Sequence, residues 1–303
     1  MTFLLAHLSD LHLGPLARPR LRDLAGKRLT GWVNWERSRA HVHDMDVLGA
    51  LIADIHAQKP DHIAVTGDLA NIGLPDEFAL ARTVMERMGQ ARDVSFTPGN
   101  HDAYAPSSLP HLARAFLPWT TGDDGPGAAY PYLRVRGTVA LIGLSSGVPT
   151  APFIASGRLG APQRAVLARL LDDSRARGLT RVVLLHHPPH REGASMGRGL
   201  TDARAFETLI ARHGAELILH GHNHRLSVSH LRGPDRRPTP VVGVASASAA
   251  GGSRTHRAGY NLFRIDRSDG ATVISARTRG LMDDRRTIGD LGPIALQGES
   301  AAP

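Results

Sequence analysis

Five short apolar runs, each broken off by a turn carrying histidine, aspartate or asparagine, constrain this chain more than any other feature. They end near Ser9, Thr66, Thr97, Leu185 and Leu219. The turns that follow supply Asp10 and His12, then Asp68, then Asn100, His101 and Asp102, then His186 and His187, and last His222 and His224. Runs of this kind read as buried strands. Between them lie stretches with helical spacing over residues 41–58, 76–88, 162–177 and 202–213, and a helix interrupted by Pro110 over 106–118. Further strands are expected near 225–231, 240–247, 260–266 and 271–278. Alternating strand and helix followed by late strands predicts a mixed α/β domain with sheet at its centre. In open α/β sheets, ligands gather outside the carboxyl ends of the strands. The five turns are therefore expected to meet at one sheet edge.

The side chains they would bring together define a chemistry. The chain has no cysteine, which excludes disulfides, thiolate metal sites and a cysteine nucleophile. Neutral imidazole and carboxylate suit divalent transition metals such as Mn, Fe, Zn or Co. Asp10-x-His12 and His222-x-His224 have alternate spacing, which in extended chain puts both side chains on one side. The candidate ligands outnumber one tetrahedral site, so two ions sharing a carboxylate is the natural solution. Two ions about 3.5–4 Å apart can clamp both oxygens of an in-line phosphoryl displacement and lower the pKa of bound water to about 7. A balance of 36 basic against 28 acidic residues, net +8, favours anionic partners without choosing among them.

The ordered set Asp10-x-His12, Gly67-Asp68, Gly99-Asn100-His101-Asp102, His186-His187-Pro188 and Gly221-His222-x-His224 resembles the calcineurin-like metallophosphoesterase superfamily. The resemblance covers roughly residues 3–225 and is most similar to bacterial cyclic-nucleotide and glycerophosphodiester phosphodiesterases. It implies a four-layer αββα sandwich of two mixed β-sheets flanked by helices. It also implies two metal ions, with Asp10, His12 and His224 on the first, Asp68 bridging, and Asn100, His186 and His222 completing the second. A metal-bridging hydroxide would be the nucleophile. His101 would assist at the phosphoryl oxygen or the leaving group. Asp102 has two readings, as the residue that orients His101 or as a turn stabiliser. The residues alone leave His186 and His187 open as ligands; the family's His-x-Pro pattern implies His186.

The substrate implied is a phosphate ester, with a cyclic nucleotide or glycerophosphodiester first. A UDP-diacylglucosamine-type diphosphate comes next and a nuclease activity after it. A non-catalytic scaffold on the same fold is the remote alternative, because such relatives lose metal ligands and none is lost here. Nucleic acid is the less favoured partner, since the basic residues form no stripe with interleaved aromatics. Residues 15–40 stand apart as a basic insert containing Trp32 and Trp35, and a membrane-surface or lipid contact is one reading of it. The domain is expected to span 1–280, with a loose tail over 281–303. No run is long enough to span a membrane, and a cytoplasmic location is expected.

Overall fold

The structure is a computed structural model and describes residues 2–16, 18–24, 26–125, 130–268 and 271–296. In chain order the elements are β1 (Thr2–Leu8), α1 (Lys27–Arg37), α2 (Met45–Gln58), β2 (His62–Val65), α3 (Pro75–Met88), β3 (Val94–Phe96) and α4 (Leu109–Thr120). A hairpin of β4 (Tyr132–Arg136) and β5 (Val139–Gly143) follows, then α5 (Ala161–Ala176), β6 (Thr180–Leu184), α6 (Ala203–His213) and β7 (Leu217–His220). The chain finishes with β8 (Ser227–Arg232), β9 (Pro238–Gly243), β10 (Gly259–Ser268), β11 (Ala271–Leu281) and β12 (Ile288–Ile294).

These strands form two six-stranded sheets, β12-β11-β10-β1-β2-β3 and β4-β5-β6-β7-β9-β8. β1, β2 and β3 are mutually parallel, as are β5, β6, β7 and β9, while the other pairings are antiparallel. The central strands are apolar on both faces, as parallel strands covered on both sides must be. Phe3 and Leu5 of β1 meet Val182 and Leu184 of β6 between the sheets. Ala6 and Leu8 point the other way, into a core shared with α2, α3 and α4. Val183 and Leu185 likewise face α5 and α6. Period-two alternation thus divides one continuous hydrophobic run between two cores, and the result is the αββα sandwich.

Three local expectations change. Pro110 lies in the first turn of α4, where its missing N–H costs nothing, so it opens the helix rather than interrupting it. Residues 41–43 stand outside α2, which begins after Asp44; that carboxylate caps it by accepting from the N–H groups of Asp46 (2.8 Å) and Val47 (3.2 Å). The tail expected from 281 is instead ordered to Leu296, because Ile288–Ile294 pair with β11 as an edge strand. Pro293 is tolerated there, since an edge strand need not donate on its free side. Residues 297–303 lie outside the described residues.

Candidate metal centre

The carboxyl ends of β1, β2, β3, β6 and β7 converge, and the turn after β1 lies against the turn after β2. Asp10 N–H donates to the Gly67 carbonyl (2.9 Å), His12 N–H to that of Asp68 (3.0 Å) and Leu13 N–H to that of Leu69 (2.9 Å). The alternate spacing of the ligand pairs does not work through extended chain. Asp10, His12, Asp68, His222 and His224 all take left-handed φ values, between 43° and 69°. Five non-glycine residues in that sparsely populated region, gathered in one place, mark the strained backbone typical of functional sites. Two glycines make the approach possible. A Cβ on Gly99 would run into the Asp68 carboxylate, and one on Gly221 into Ser9 Oγ and the Asp10 carboxylate.

Three groups of potential ligand atoms result: Asp10, His12 and His224; Asp10, Asp68 and His186; and His186, His187 and His222. Their separations test whether they fit a cation. His12 Nε2 lies 3.1 Å from His224 Nε2, and His222 Nδ1 lies 3.3 Å from His186 Nε2. Asp10 Oδ1 is 3.2 Å from His224 Nε2, and Asp68 Oδ2 is 3.2 Å from His186 Nε2. Two donors each about 2.0–2.1 Å from one ion, at ordinary coordination angles, stand about 3 Å apart. Two imidazole nitrogens facing each other at that distance need a proton or a cation between them. Buried Asn100 Oδ1 also has no hydrogen-bond partner among the described residues, as an oxygen reserved for a cation would. The residues fit a divalent metal centre.

The surrounding bonds aim the ligands, as outer partners of metal-binding histidines usually do. His186 Nδ1 donates to the Thr66 carbonyl (2.7 Å), which turns Nε2 toward both carboxylates. His12 Nδ1 lies 3.3 Å from the Ala70 carbonyl. Asp10 Oδ2 accepts from His222 N–H (3.0 Å), and Asp68 Oδ1 from His101 N–H (2.8 Å). The charges answer one another. Burial would lower His186, but the Asp68 charge and hydrogen bond lift it to about 9. Burial would raise Asp68, but His186 and His101 hold it well below the carboxylate range. Burial, aided by His187 and His186, keeps His222 neutral.

His186 and His187 are now distinguishable. His187 has both ring nitrogens engaged, Nδ1 with Ser146 Oγ (2.8 Å) and Nε2 with the Ala155 carbonyl (3.1 Å). His186 has only one nitrogen so held. For Asp102 the structure favours the turn-stabilising reading. Its Oδ2 accepts from the N–H groups of Asp68 (2.7 Å) and Gly99 (2.9 Å), and its Oδ1 from those of Leu69 (2.9 Å) and Ala70 (3.0 Å). Burial and the Asp68 charge push Asp102 up to about 7, against the pull of those N–H groups. The partner facing His101 Nδ1 is the Asn71 carbonyl, at 2.5 Å. Asn71 is held in turn by buried Glu77, whose carboxylate accepts from the N–H groups of Asn71 (2.5 Å) and Leu74 (2.9 Å). A backbone carbonyl leaves no mark in a side-chain pattern, so sequence gave no sign of this partner. His43 was also missed as a neighbour of the site. It bonds Ser248 Oγ (2.8 Å), and its ring centre lies 4.7 Å from that of His12.

Asp68, Asn100, His222 and His224 line the floor of a cleft of about 330 Å3, whose walls carry Lys27, Asn34, Tyr104, Phe153 and Arg198. Residues 15–40 build one wall of it. Arg28 donates to the carbonyls of Ile72 (3.1 Å) and Gly73 (3.0 Å), and Lys27 Nζ crosses to Thr150 Oγ1 (2.6 Å) and the Ile154 carbonyl (2.9 Å). Trp35 is buried and stacks on His43, while Trp32 packs against Ile72, Leu74 and Tyr104. The tryptophans that suggested a lipid surface therefore face the protein. Among the described residues no helix is long and apolar enough to cross a membrane.

Comparisons with known proteins show the family and the fold. The sequence model for calcineurin-like phosphoesterases matches residues 3–226. A Synechococcus sp. protein described as a probable cyclic nucleotide phosphodiesterase is 27% identical over 228 residues, covering 74% of each chain. The glycerophosphodiester phosphodiesterase GpdQ of Enterobacter lignolyticus is 28% identical over 236 residues, 76% of this chain and 73% of that one. A dimetal phosphatase from Danio rerio shares the fold, with a TM-score of 0.62 at 14% identity and coverage of 96% and 98%.

Proposed function

The chain belongs to the calcineurin-like phosphoesterase family and is a phosphoric ester hydrolase, and on that premise we propose that it is a dinuclear metal-dependent phosphodiesterase acting on a cyclic nucleotide or glycerophosphodiester. Asp10, His12 and His224 would hold one cation, and Asn100, His186 and His222 the other. Asp68 would be shared by both, a role supported by its Oδ2 standing 3.2 Å from His186 Nε2 and 4.0 Å from His12 Nε2. When bound, such cations supply an activated water and neutralise phosphoryl oxygens. His101 lines the cleft beside them, and the Asn71 carbonyl fixes its Nδ1 as the protonated nitrogen. As the imidazolium, with Nδ1–H kept on that carbonyl, the ring can give its Nε2 proton to the leaving oxygen. Arg198 and Lys27 add positive charge on the walls. The cleft volume suits a small phosphodiester and is too small for a duplex.

The observation that carries this reading is the convergence of three ligand groups, through edges of 3.1–3.3 Å, at the floor of one cleft. The test strips the protein with chelator and reloads it separately with Mn, Fe, Zn and Co. Turnover is then followed on cyclic AMP, a glycerophosphodiester, a UDP-linked lipid diphosphate and single-stranded DNA. Chelation should abolish, and reloading restore, hydrolysis of the two small diesters, and Asp68→Ala should not recover it. Turnover indifferent to chelation defeats the proposal, and preference for the lipid or DNA reassigns the substrate.

A further inference from the structure

Phe153 is the least explained side chain at the cleft. It is 88% exposed, yet it lines the cleft and takes a φ of 65°, a conformation unusual for a bulky residue. Nor is it a loose loop tip. Ile154 N–H closes a turn onto the Ala151 carbonyl (3.2 Å), and the Ile154 carbonyl accepts from Thr150 Oγ1 (2.6 Å) and from Lys27 Nζ (2.9 Å). On the other side Ala155 N–H bonds the Gly197 carbonyl (2.9 Å). An apolar ring is thus held in water, at the mouth of a polar site, by ties to α1 and to the segment before Leu200. That second segment also brings Arg198, which lines the same cleft and forms no ion pair or side-chain hydrogen bond among the described residues. Strain kept at an exposed position is a pointer to function.

We propose that Phe153 is a specificity-determining platform on which a planar ring of the substrate stacks, with Arg198 facing the phosphate charge, so that diesters carrying a nucleoside or comparable flat ring are preferred over diesters of glycerol. This rests on the phosphodiesterase reading above and deepens it. A glycerol-sized alcohol has no face to offer the ring, whereas any heterocycle does, and such stacking tolerates variation in the base.

The experiment compares wild type, Phe153→Ala and Phe153→Tyr, metal-loaded, on cyclic AMP and glycerophosphoethanolamine. Phe153→Ala should raise KM for cyclic AMP about tenfold, the factor that stacking of about 1.4 kcal/mol supplies. Its kcat should stay within about twofold, the glycerol diester should be unaffected, and Phe153→Tyr should behave as wild type. Equal effects on both substrates, or none on either, overturn the platform. Calorimetric titration with AMP and with glycerol 3-phosphate gives a readout free of turnover. Wild type should bind AMP about tenfold tighter, and Phe153→Ala should not discriminate. A wild type that binds the two alike refutes the platform even if diesters are hydrolysed. A wild type that prefers AMP but hydrolyses no diester supports the platform and refutes the diesterase reading.

Discussion

Replacing Asp102 with Asn separates two roles for a residue that sits next to His101 in sequence. Its carboxylate accepts four backbone N–H bonds of 2.7–3.0 Å, two on each oxygen, with no exposure to solvent. The amide keeps one acceptor oxygen and turns an NH2 group toward two N–H donors. Two hydrogen bonds to a charged acceptor are lost, at about 1.5–3 kcal/mol each. That loss is offset in large part by relief of the buried charge that lifts the carboxyl to about 7. The net loss of stability should be on the order of 1 kcal/mol, a fall in Tm of about 2 °C. The assay is thermal and urea unfolding of chelator-treated protein, so that metal binding does not contribute, at about pH 8.5, where a carboxyl near 7 is ionised. Because the lost bonds hold the Asp68–Ala70 turn, metal content of the reloaded variant should fall as well. If Asp102→Asn unfolds within about 0.5 kcal/mol of wild type and loses only turnover, the residue acts on His101 and not on the turn.

Other consequences follow from the same geometry. His101→Ala should keep its metal by elemental analysis while turnover falls about 10²–10⁴-fold; loss of a metal equivalent would make His101 a ligand. Gly221→Ala drives a methyl into Ser9 and the Asp10 carboxylate, so metal bound by Asp10, His12 and His224 should be lost while far-ultraviolet dichroism is preserved. Full metal content would show that the turn can give. His62 is buried against Ser95, and burial, with the Arg134 and Arg136 charges, pushes it down to about 3. The unfolded chain, near 6.5, binds the proton more readily, so this histidine's share of stability is whole above about pH 6.5 and drains away below it by about 1.4 kcal/mol per pH unit. His62→Gln should flatten the pH dependence of unfolding free energy between pH 4 and 6 by that slope, and an unchanged slope refutes the assignment.

The candidate metal-site residues were legible because each is a side chain set at the end of an apolar run, and runs of that kind impose their own geometry. Once β1, β2 and β3 pair in parallel in one sheet and β6 and β7 in the other, and the two sheets stack, their carboxyl ends meet at one end of the sandwich. What sequence could not show is how the turns are fixed there. The Asp10-x-His12 spacing was read as extended chain, whereas left-handed residues do the work, and no local preference of Asp or His specifies that. The choice between His186 and His187 depended on Ser146 and on the Ala155 carbonyl, both remote in sequence. The strand at Ile288–Ile294 was hidden by its glycines and proline, residues that weaken strands in isolation and are admitted here by an edge.

Residues 15–40 show the same limit most clearly. A helix that packs by one broad apolar stripe announces itself, but α1 buries Trp35 alone among its residues. The rest of its attachment is polar and long-range: Arg28 on the carbonyls of the 72–73 turn, and Lys27 across the cleft on Thr150 and Ile154. Gly31 completes it, since a side chain there would collide with Tyr104. None of these contacts has a period, so the segment read as an unplaced basic insert open to a membrane. In α1 the two tryptophans pack against the domain, Arg28 ties the helix to the 72–73 turn, and Lys27 reaches over to the opposite wall. The consequence is that the wall of the cleft that carries Phe153 is held from two sides, by Lys27 of α1 and by the Gly197 carbonyl, and not by the motif residues on the cleft floor.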